Sequence, residues 1–217
     1  MSQHFITLLR HGESVGNSSR VLQGQSDYPL TPIGVEQAQR LAYFWKLRGA
    51  KFDLCISSPL TRARQTAEII ANTLEVRVEY DPAWMERNFG ALQGSNLDEI
   101  EQWQPKVDYF HPYEAIGGDG ESMLDLYLRA SHAIQNLLRQ PAGSYLVVSH
   151  GGILNKAVYV ILGITPQGHY NSPIFHFGNI GYAQFRYNSI LRQWAVLSLN
   201  HQLADDSSEG TTEWQQD

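Results

Sequence analysis

The sequence predicts an α/β protein: a three-layer α/β/α arrangement around a mostly parallel central sheet, with an antiparallel C-terminal strand or hairpin and a small lid insertion. Three observations predict it. Short apolar runs of strand length alternate with segments of helical apolar periodicity, the pattern of strands joined by helical crossovers. Three of those runs end directly in turns built from His, Ser, Pro or Gly, where open parallel sheets place their ligand sites. Near the C-terminus two alternating runs follow one another directly, as a hairpin would.

Residues 5–9 form the first strand. Thr31 and Pro32 then supply an N-cap and a first-turn proline, and Val35, Ala38, Leu41, Ala42 and Trp45 keep helical spacing until Gly49 ends the helix. Residues 52–56 read as a second strand, Ser58 and Pro59 restart a helix through Ala63, Ala67 and Ile70, and residues 76–78 form a third strand. Residues 82–120 differ, with short elements rich in Trp, Pro, Gly and His and with Ser95 placed to cap a short helix over 97–103. This stretch is the expected lid, of the kind that excludes water from a site. A long helix follows over 122–138, then a fully apolar strand over 145–148, and Gly151-Gly152 opens a helix containing Leu154, Val158 and Ile161. Runs 180–185 and 193–199 alternate around Tyr187-Asn188-Ser189. No repeat or linker divides the chain, so one domain over 1–200 is expected, followed by a tail over 201–217.

At 217 residues the chain can bury a sizeable core. No run approaches the roughly 18 apolar residues of a membrane span. Met1-Ser2-Gln3-His4 lacks the basic region of a secretory signal, and the single Cys55 lies within an apolar run. Both point to the cytoplasm, with Cys55 a packed and inert thiol. The net charge of −6 is mostly the tail's, where Asp205, Asp206, Glu209, Glu213 and Asp217 meet no Lys or Arg. The body is therefore near neutral and carries no basic stripe, so nucleic-acid and membrane partners are not expected. The oligomeric state is left open.

Four segments carry chemistry. They are Arg10-His11-Gly12-Glu13-Ser14 with Asn17 beyond it, Ser57-Ser58-Pro59-Leu60-Thr61-Arg62-Ala63, Met85-Glu86-Arg87-Asn88-Phe89-Gly90, and Ser149-His150-Gly151-Gly152. The first, second and fourth each follow an apolar strand, and in a parallel sheet such turns share one edge. A histidine can take a phosphoryl group covalently, and arginine's planar fork matches phosphate oxygens as lysine's point charge does not. No His-Glu-x-x-His helix and no glycine-rich loop ending in Gly-Lys-Ser/Thr is present, and His111, His169 and His176 have no ligand spacing, so neither metal nor cofactor is expected. Trp84, Trp103, Phe110 and Tyr113 read as core and lid packing.

Together with Gly24-Gln25-Ser26-Asp27-Tyr28-Pro29-Leu30-Thr31, Gly34 and Gln37-Ala38, these segments resemble the histidine phosphatase superfamily, in its phosphoglycerate-mutase-like branch, over nearly the whole chain to about residue 200. That resemblance implies His11 as the nucleophile that becomes phosphohistidine, a phosphate pocket of Arg10, Arg62 and His150, and Glu86 as proton donor. It also implies that the Asn17 amide meets phosphate oxygens, and that Gln23, Gly24, Glu121, Ser122 and Gly151 are weaker candidates for touching substrate. Four physical expectations follow. His150 serves best when protonated. Helix N-terminal amides after Gly151 add donors to the phosphate, and burial or anionic neighbours keep Glu86 protonated. Gly12, Gly151 and Gly152 leave room for close ligand approach. Glu13, two residues past His11, is expected to orient the loop, and Arg64 rather than Arg62 to pair with Glu68.

Hydrolysis and mutase chemistry share this machinery. The segment from Glu86 to Gly94 is similar to the mutases' version of it. Three departures favour a phosphomonoesterase acting on a small phosphorylated metabolite. The position matching a mutase lysine is Leu97; no arginine lies between Arg87 and Arg129, where Lys106 is the only basic residue besides histidines; and His150 is followed by Gly-Gly rather than Gly-Asn. Each missing charged hydrogen bond removes about 1.5–3 kcal/mol from a second phosphate. A catalytically silent phospholigand-binding module is the remaining alternative, disfavoured because every pocket group is present.

Overall fold

The computed structural model describes residues 2–103, 111–166 and 173–201. The expected tail from residue 202 onward, and Lys106, Phe110 and His169, lie outside the described residues, as does the side chain of Trp103. Six strands form one sheet in the order β3-β2-β4-β1-β5-β6, from β1 (Gln3–Arg10), β2 (Leu54–Ser57), β3 (Val78–Tyr80), β4 (Ser144–Ser149), β5 (Tyr182–Asn188) and β6 (Gln193–His201). The first four run parallel, while β5 is antiparallel to β1 and β6 to β5. The predicted fold class holds.

Side-chain alternation along the strands builds two cores. Ile6, Leu8, Leu54, Ile56, Tyr145 and Val147 face one way, onto α5 (Met123–Arg139) and α6 (Gly151–Leu162). Leu9, Cys55, Leu146 and Val148 face the other, onto α2 (Pro32–Leu47) and α3 (Thr61–Leu74). Cys55 is fully buried, and burial pushes its thiol up to about 12, so the expected inert thiol is what the fold contains. Between β1 and α2 sits a single helical turn, α1 (Val15–Ser18), and α4 (Leu97–Trp103) lies in the insertion. Among the described residues no helix is long and apolar enough to cross a membrane.

Four local expectations shift. The third strand starts at Val78 because Val76 N–H still closes α3 on Ala71 behind a left-handed Glu75. Helix α3 starts at Thr61 rather than at Ser58-Pro59; its first turn is capped from afar by Asp27, which accepts from Thr61 N at 2.7 Å and from Thr61 Oγ1 at 2.6 Å. Asn96, not Ser95, caps α4, accepting from Asp98 N at 2.8 Å. In the hairpin, Tyr187 and Asn188 are still strand, and Asn188 Oδ1 organises the turn by accepting from Ile190 and Leu191 N–H.

Candidate active site

In the parallel register Arg10 pairs with Ser149 and Ser57 with Val148, so the C-terminal ends of β1, β4 and β2 stand side by side. The residues that leave those ends, His11, His150 and Ser58, therefore meet in one buried pocket. The two imidazole rings lie 5.1 Å apart, centre to centre.

His11 Nδ1 is 2.7 Å from the Gly12 carbonyl. A carbonyl can only accept, so Nδ1 carries the proton and Nε2 keeps its lone pair. Burial, then the Arg10 and Arg62 charges, pushes the imidazole well below the usual histidine range, with the Gly12 carbonyl opposing. The backbone is pinned on both sides: His11 N–H donates to Ser149 O, and its carbonyl accepts from Ile180 N and Asn179 Nδ2. Gly12 is explained differently from the expected ligand approach. A Cβ there would lie 2.5 Å from the Gly34 carbonyl oxygen at the start of α2, so the missing side chain admits backbone. Glu13 orients the loop as expected, its Oε1 accepting from Thr31 Oγ1 at 2.7 Å.

Arg10 donates through Nη1 to Phe177 O at 2.6 Å, while its Nε is buried without a hydrogen-bond partner. Such an orphan donor is costly unless an oxygen reaches it. Arg62, 1 % exposed, rests its Nη atoms on the carbonyls of Ser26 (2.9 Å) and Gly24 (2.7 Å) and points Nε at His150 Nδ1 (3.1 Å). Burial lowers it to about 10 against the pull of Glu86 and Asp27, so it stays charged at neutral pH. Arg64 pairs with Glu68 at 3.6 Å, leaving Arg62 to the pocket.

His150 enters the pocket from the end of β4, just before α6. Nδ1 accepts from Arg62, so the ring proton sits on Nε2, 2.8 Å from Ser58 Oγ. Burial, followed by Arg62, His11 and Arg10, depresses its affinity for a second proton, so the ring is neutral as arranged. A dianion in the pocket would oppose that depression.

Glu86 arrives through the 3-10 turn Pro82–Trp84, which Ser149 Oγ anchors by donating to Trp84 O at 2.6 Å. Its carboxyl accepts from Gly152 N (3.1 Å), Ile153 N (3.2 Å) and Arg87 N (2.8 Å). The first two are N-terminal amides of α6, expected to serve phosphate and here occupied by the acid. Its hydrogen-bond partners are all backbone N–H donors. Gly152 explains the arrangement: a Cβ there would stand 2.4 Å from Glu86 Oε1, whereas one on Gly151 would meet Arg10 Nε at 3.9 Å. The open space at Gly152 thus belongs to the acid, not to a ligand.

The weaker candidates divide. Gly24 O holds Arg62, and Gln23 Oε1 lies 2.8 Å from Ser14 Oγ. Asn17 Oδ1 accepts from Ser14 N at 3.1 Å and Asn179 Nδ2 at 3.3 Å, placing its amide at the His11 loop. Glu121 and Ser122 turn inward to structure. Ser122 caps α5 in a capping box with Asp125. Glu121 forms a two-pronged pair with Arg129 (2.7 and 2.6 Å), whose Nη atoms also hold the carbonyls of Ala83, Met85 and Glu86. Arg129, Asn179 and Ser58 were not singled out from sequence. Arg129's only signal was its place as the next arginine after Arg87; Ser58 stood only as part of its segment, and Asn179 gave no signal. Among the described residues no three His, Cys, Asp or Glu side chains are arranged to hold a metal.

A buried pocket with two arginines at the strand ends suits an anionic ligand, and comparison with known proteins gives the family. The family model of the histidine phosphatase superfamily (branch 1) matches residues 6–202, and the chain belongs to that superfamily, whose members are phosphatases or mutases. It is 39 % identical over 167 residues to the probable phosphoglycerate mutase GpmB of Yersinia enterocolitica, covering 75 % of this chain and 76 % of that one. Among solved structures it resembles mycobacterial glucosyl-3-phosphoglycerate phosphatase in complex with VO3, with TM-score 0.79, 25 % identity, and coverage of 91 % of this chain and 99 % of that one. Phosphoserine phosphatase from Entamoeba histolytica, in complex with 3-phosphoglyceric acid, shares the fold at TM-score 0.74 and 24 % identity, over 92 % of this chain and 98 % of that one.

Proposed function

We propose that the protein is a phosphomonoester hydrolase that works through a phosphohistidine on His11. The observation that carries this reading is the His11 tautomer: Nδ1–H is committed to the Gly12 carbonyl, which leaves Nε2 as a lone pair in a buried, cationic pocket. In the proposed cycle Nε2 attacks phosphorus, and the P–O bond to the alcohol breaks on the opposite side. Arg10 and Arg62, with Arg10 Nε as a ready donor, neutralise the phosphoryl oxygens. Asn17 adds an amide beside the loop. His150, aligned by Arg62 and Ser58, gives a further donor once the dianion favours its protonation. Glu86 delivers a proton to the leaving alkoxide and then takes one from the water that hydrolyses phosphohistidine, general acid–base help worth about 10²- to 10⁴-fold. The proton is supplied by the substrate's own phosphate monoanion, which leaves the bound phosphoryl group a dianion.

Rapid quench with a ³²P-labelled phosphomonoester tests this. A base-stable, acid-labile phosphoenzyme is expected in the wild type and absent in His11→Ala; turnover without any such species overturns the covalent route. The mutase reading retains two supports, the name of its curated Yersinia relatives and the likeness of the segment from Glu86 to Gly94 to the mutases' version. Bisphosphoglycerate-dependent interconversion of 3- and 2-phosphoglycerate at a rate matching phosphate release would replace hydrolysis by that activity.

A further inference from the structure

The chain enters β5 through a turn over residues 178–181, closed by Gly181 N–H on Gly178 O at 2.9 Å. The turn is built against the Arg10-His11 pair. Arg10 N–H donates to Gly181 O at 3.0 Å, and Arg10 Nη1 to Phe177 O at 2.6 Å. His11 O accepts from Ile180 N–H at 3.3 Å and from Asn179 Nδ2 at 3.1 Å. Ile180 takes a φ of +59° there, in the left-handed region that β-branched residues rarely enter. Strain of this kind persists only where the surroundings over-determine the backbone, and it gathers at functional sites.

Asn179 gives the turn a second contact with the site. A carbonyl only accepts, so the atom facing His11 O is the Asn179 NH2, and the orientation of that amide is settled. The same Nδ2 lies 3.3 Å from Asn17 Oδ1, so its two hydrogens bridge the nucleophile's carbonyl and the Asn17 side chain. Ser14 N–H, which can only donate, meets the same Oδ1 at 3.1 Å. Two donors thus require oxygen at that position of the Asn17 amide, and its NH2 meets no acceptor among the described residues. Their tasks differ. Ser14 caps α1 and moves with it, so its bond fixes which way the amide faces within that turn. Helix α1 has only four residues, and its internal bonds do not set its place against the sheet. Asn179 does, by tying Asn17 to His11. We propose that Asn179 is a positioning residue for phosphoryl transfer, which holds the Asn17 amide in register with His11 so that its NH2 meets a phosphoryl oxygen. This rests on the phosphoryl-transfer reading of the pocket and adds to it a residue that touches no substrate. His11 O keeps the Ile180 N–H when Asn179 is lost, so the consequence falls chiefly on Asn17.

The Asn17 amide can be read directly in ¹⁵N-labelled full-length protein, where its NH2 resonance is the one lost in Asn17→Ala. Titration with inorganic phosphate should shift that resonance in the wild type, and the shift at saturation should shrink by more than half in Asn179→Ala. By calorimetry, phosphate should bind Asn17→Ala and Asn179→Ala each about tenfold more weakly than wild type, the loss of one hydrogen bond to a charged group. The double variant should fall less than about threefold below either single one, because both remove the same contact. A residue that merely stabilised the fold would give losses that multiply. Absence of turnover with this coupling intact would reject only the hydrolase reading, whereas a wild type that binds no phosphate would reject the pocket itself. An Asn17 resonance that bound phosphate leaves unmoved in the wild type overturns the proposal without relying on any Asn179 variant to fold. Multiplying losses in the double variant overturn it as well.

Discussion

Gly152→Ala should damage the acid without damaging the fold. The added methyl would sit 2.4 Å from Glu86 Oε1, against about 3.5 Å for a comfortable contact, so the carboxyl must retreat by ~1 Å. The atoms that give way are the end of a flexible side chain, and the helix itself is free to stay. Retreat breaks the 3.1 and 3.2 Å bonds to Gly152 and Ile153 N–H. Losing a carboxylate at a helix N-terminus costs about 0.3–1 kcal/mol, while alanine for glycine in a helix returns about 0.5–1. The melting temperature should stay within about 3 °C of wild type, because 1 kcal/mol shifts a protein of this size by about 2–4 °C. Catalysis has no such offset, since a misplacement near 1 Å costs about 10²-fold. The assay is kcat/KM for an alkyl phosphate beside that for p-nitrophenyl phosphate, whose aryl oxygen leaves as a stable anion and needs little proton help. About 10²-fold loss is expected on the alkyl ester and less than fivefold on the aryl one. Combining the change with Glu86→Gln should add little, because both remove the same group. Alkyl-ester activity within threefold of wild type would refute the docking of Glu86 on α6, and equal losses on both esters would refute its role as proton donor.

Glu86→Gln should lower kcat/KM for alkyl phosphates by about 10²- to 10⁴-fold while phosphoenzyme still forms from p-nitrophenyl phosphate; an unchanged alkyl rate would remove Glu86 from the mechanism. Arg129→Met leaves Glu121 without its bidentate partner and strips donors from the Ala83, Met85 and Glu86 carbonyls, so chemical denaturation should show a loss of about 3–5 kcal/mol, and a change under 1 kcal/mol would contradict the buttress. His11 and His150 both hold fewer protons folded than unfolded, so their contribution is intact above the unfolded value of about 6.5 and is lost as pH falls below it. Stability should then decline by up to about 2.7 kcal/mol per pH unit from this pair, and His11→Asn should roughly halve that slope; an unchanged slope would show that His11 is not held neutral.

What was legible in the sequence was whatever a strand or helix repeats locally. The continuous apolar runs Leu54-Cys55-Ile56 and Tyr145-Leu146-Val147-Val148 announce strands buried on both faces, and His11, Arg62 and His150 stand just beyond strand ends where that sheet converges. What was not legible depends on partners far away in the chain. Nothing near Glu86 tells that residues 152 and 153 will donate to it, nor that Arg129 will hold the carbonyls before it. Gly152 looked like room for a ligand because a glycine reports only that something comes close; the tertiary fold decides what. Boundary errors had the same origin, since Asp27 caps α3 from 34 residues away and displaces the local Ser58-Pro59 signal.

The two arginines do opposite things to the groups around them, and the proposed cycle needs both. Toward an incoming phosphate they are attraction, concentrated because Arg10 and Arg62 are withdrawn from water. Toward His11 they are repulsion of a proton, which keeps Nε2 a lone pair at neutral pH although an exposed histidine near a phosphate would gain a proton and lose its nucleophilicity. The geometry resolves the conflict by tautomer: the one proton His11 keeps is on Nδ1, directed at Gly12 and away from the phosphorus. His150 has the complementary arrangement, with Nδ1 taken by Arg62 and its proton on Nε2 toward Ser58. In the proposed cycle one ring would serve as the nucleophile and the other as a donor, His11 set by the Gly12 carbonyl and His150 by Arg62. Replacing Arg62 by lysine would keep the charge but leave one donor direction fewer for the two carbonyls and His150, so phosphoenzyme formation should fall at least tenfold even though His11 remains neutral.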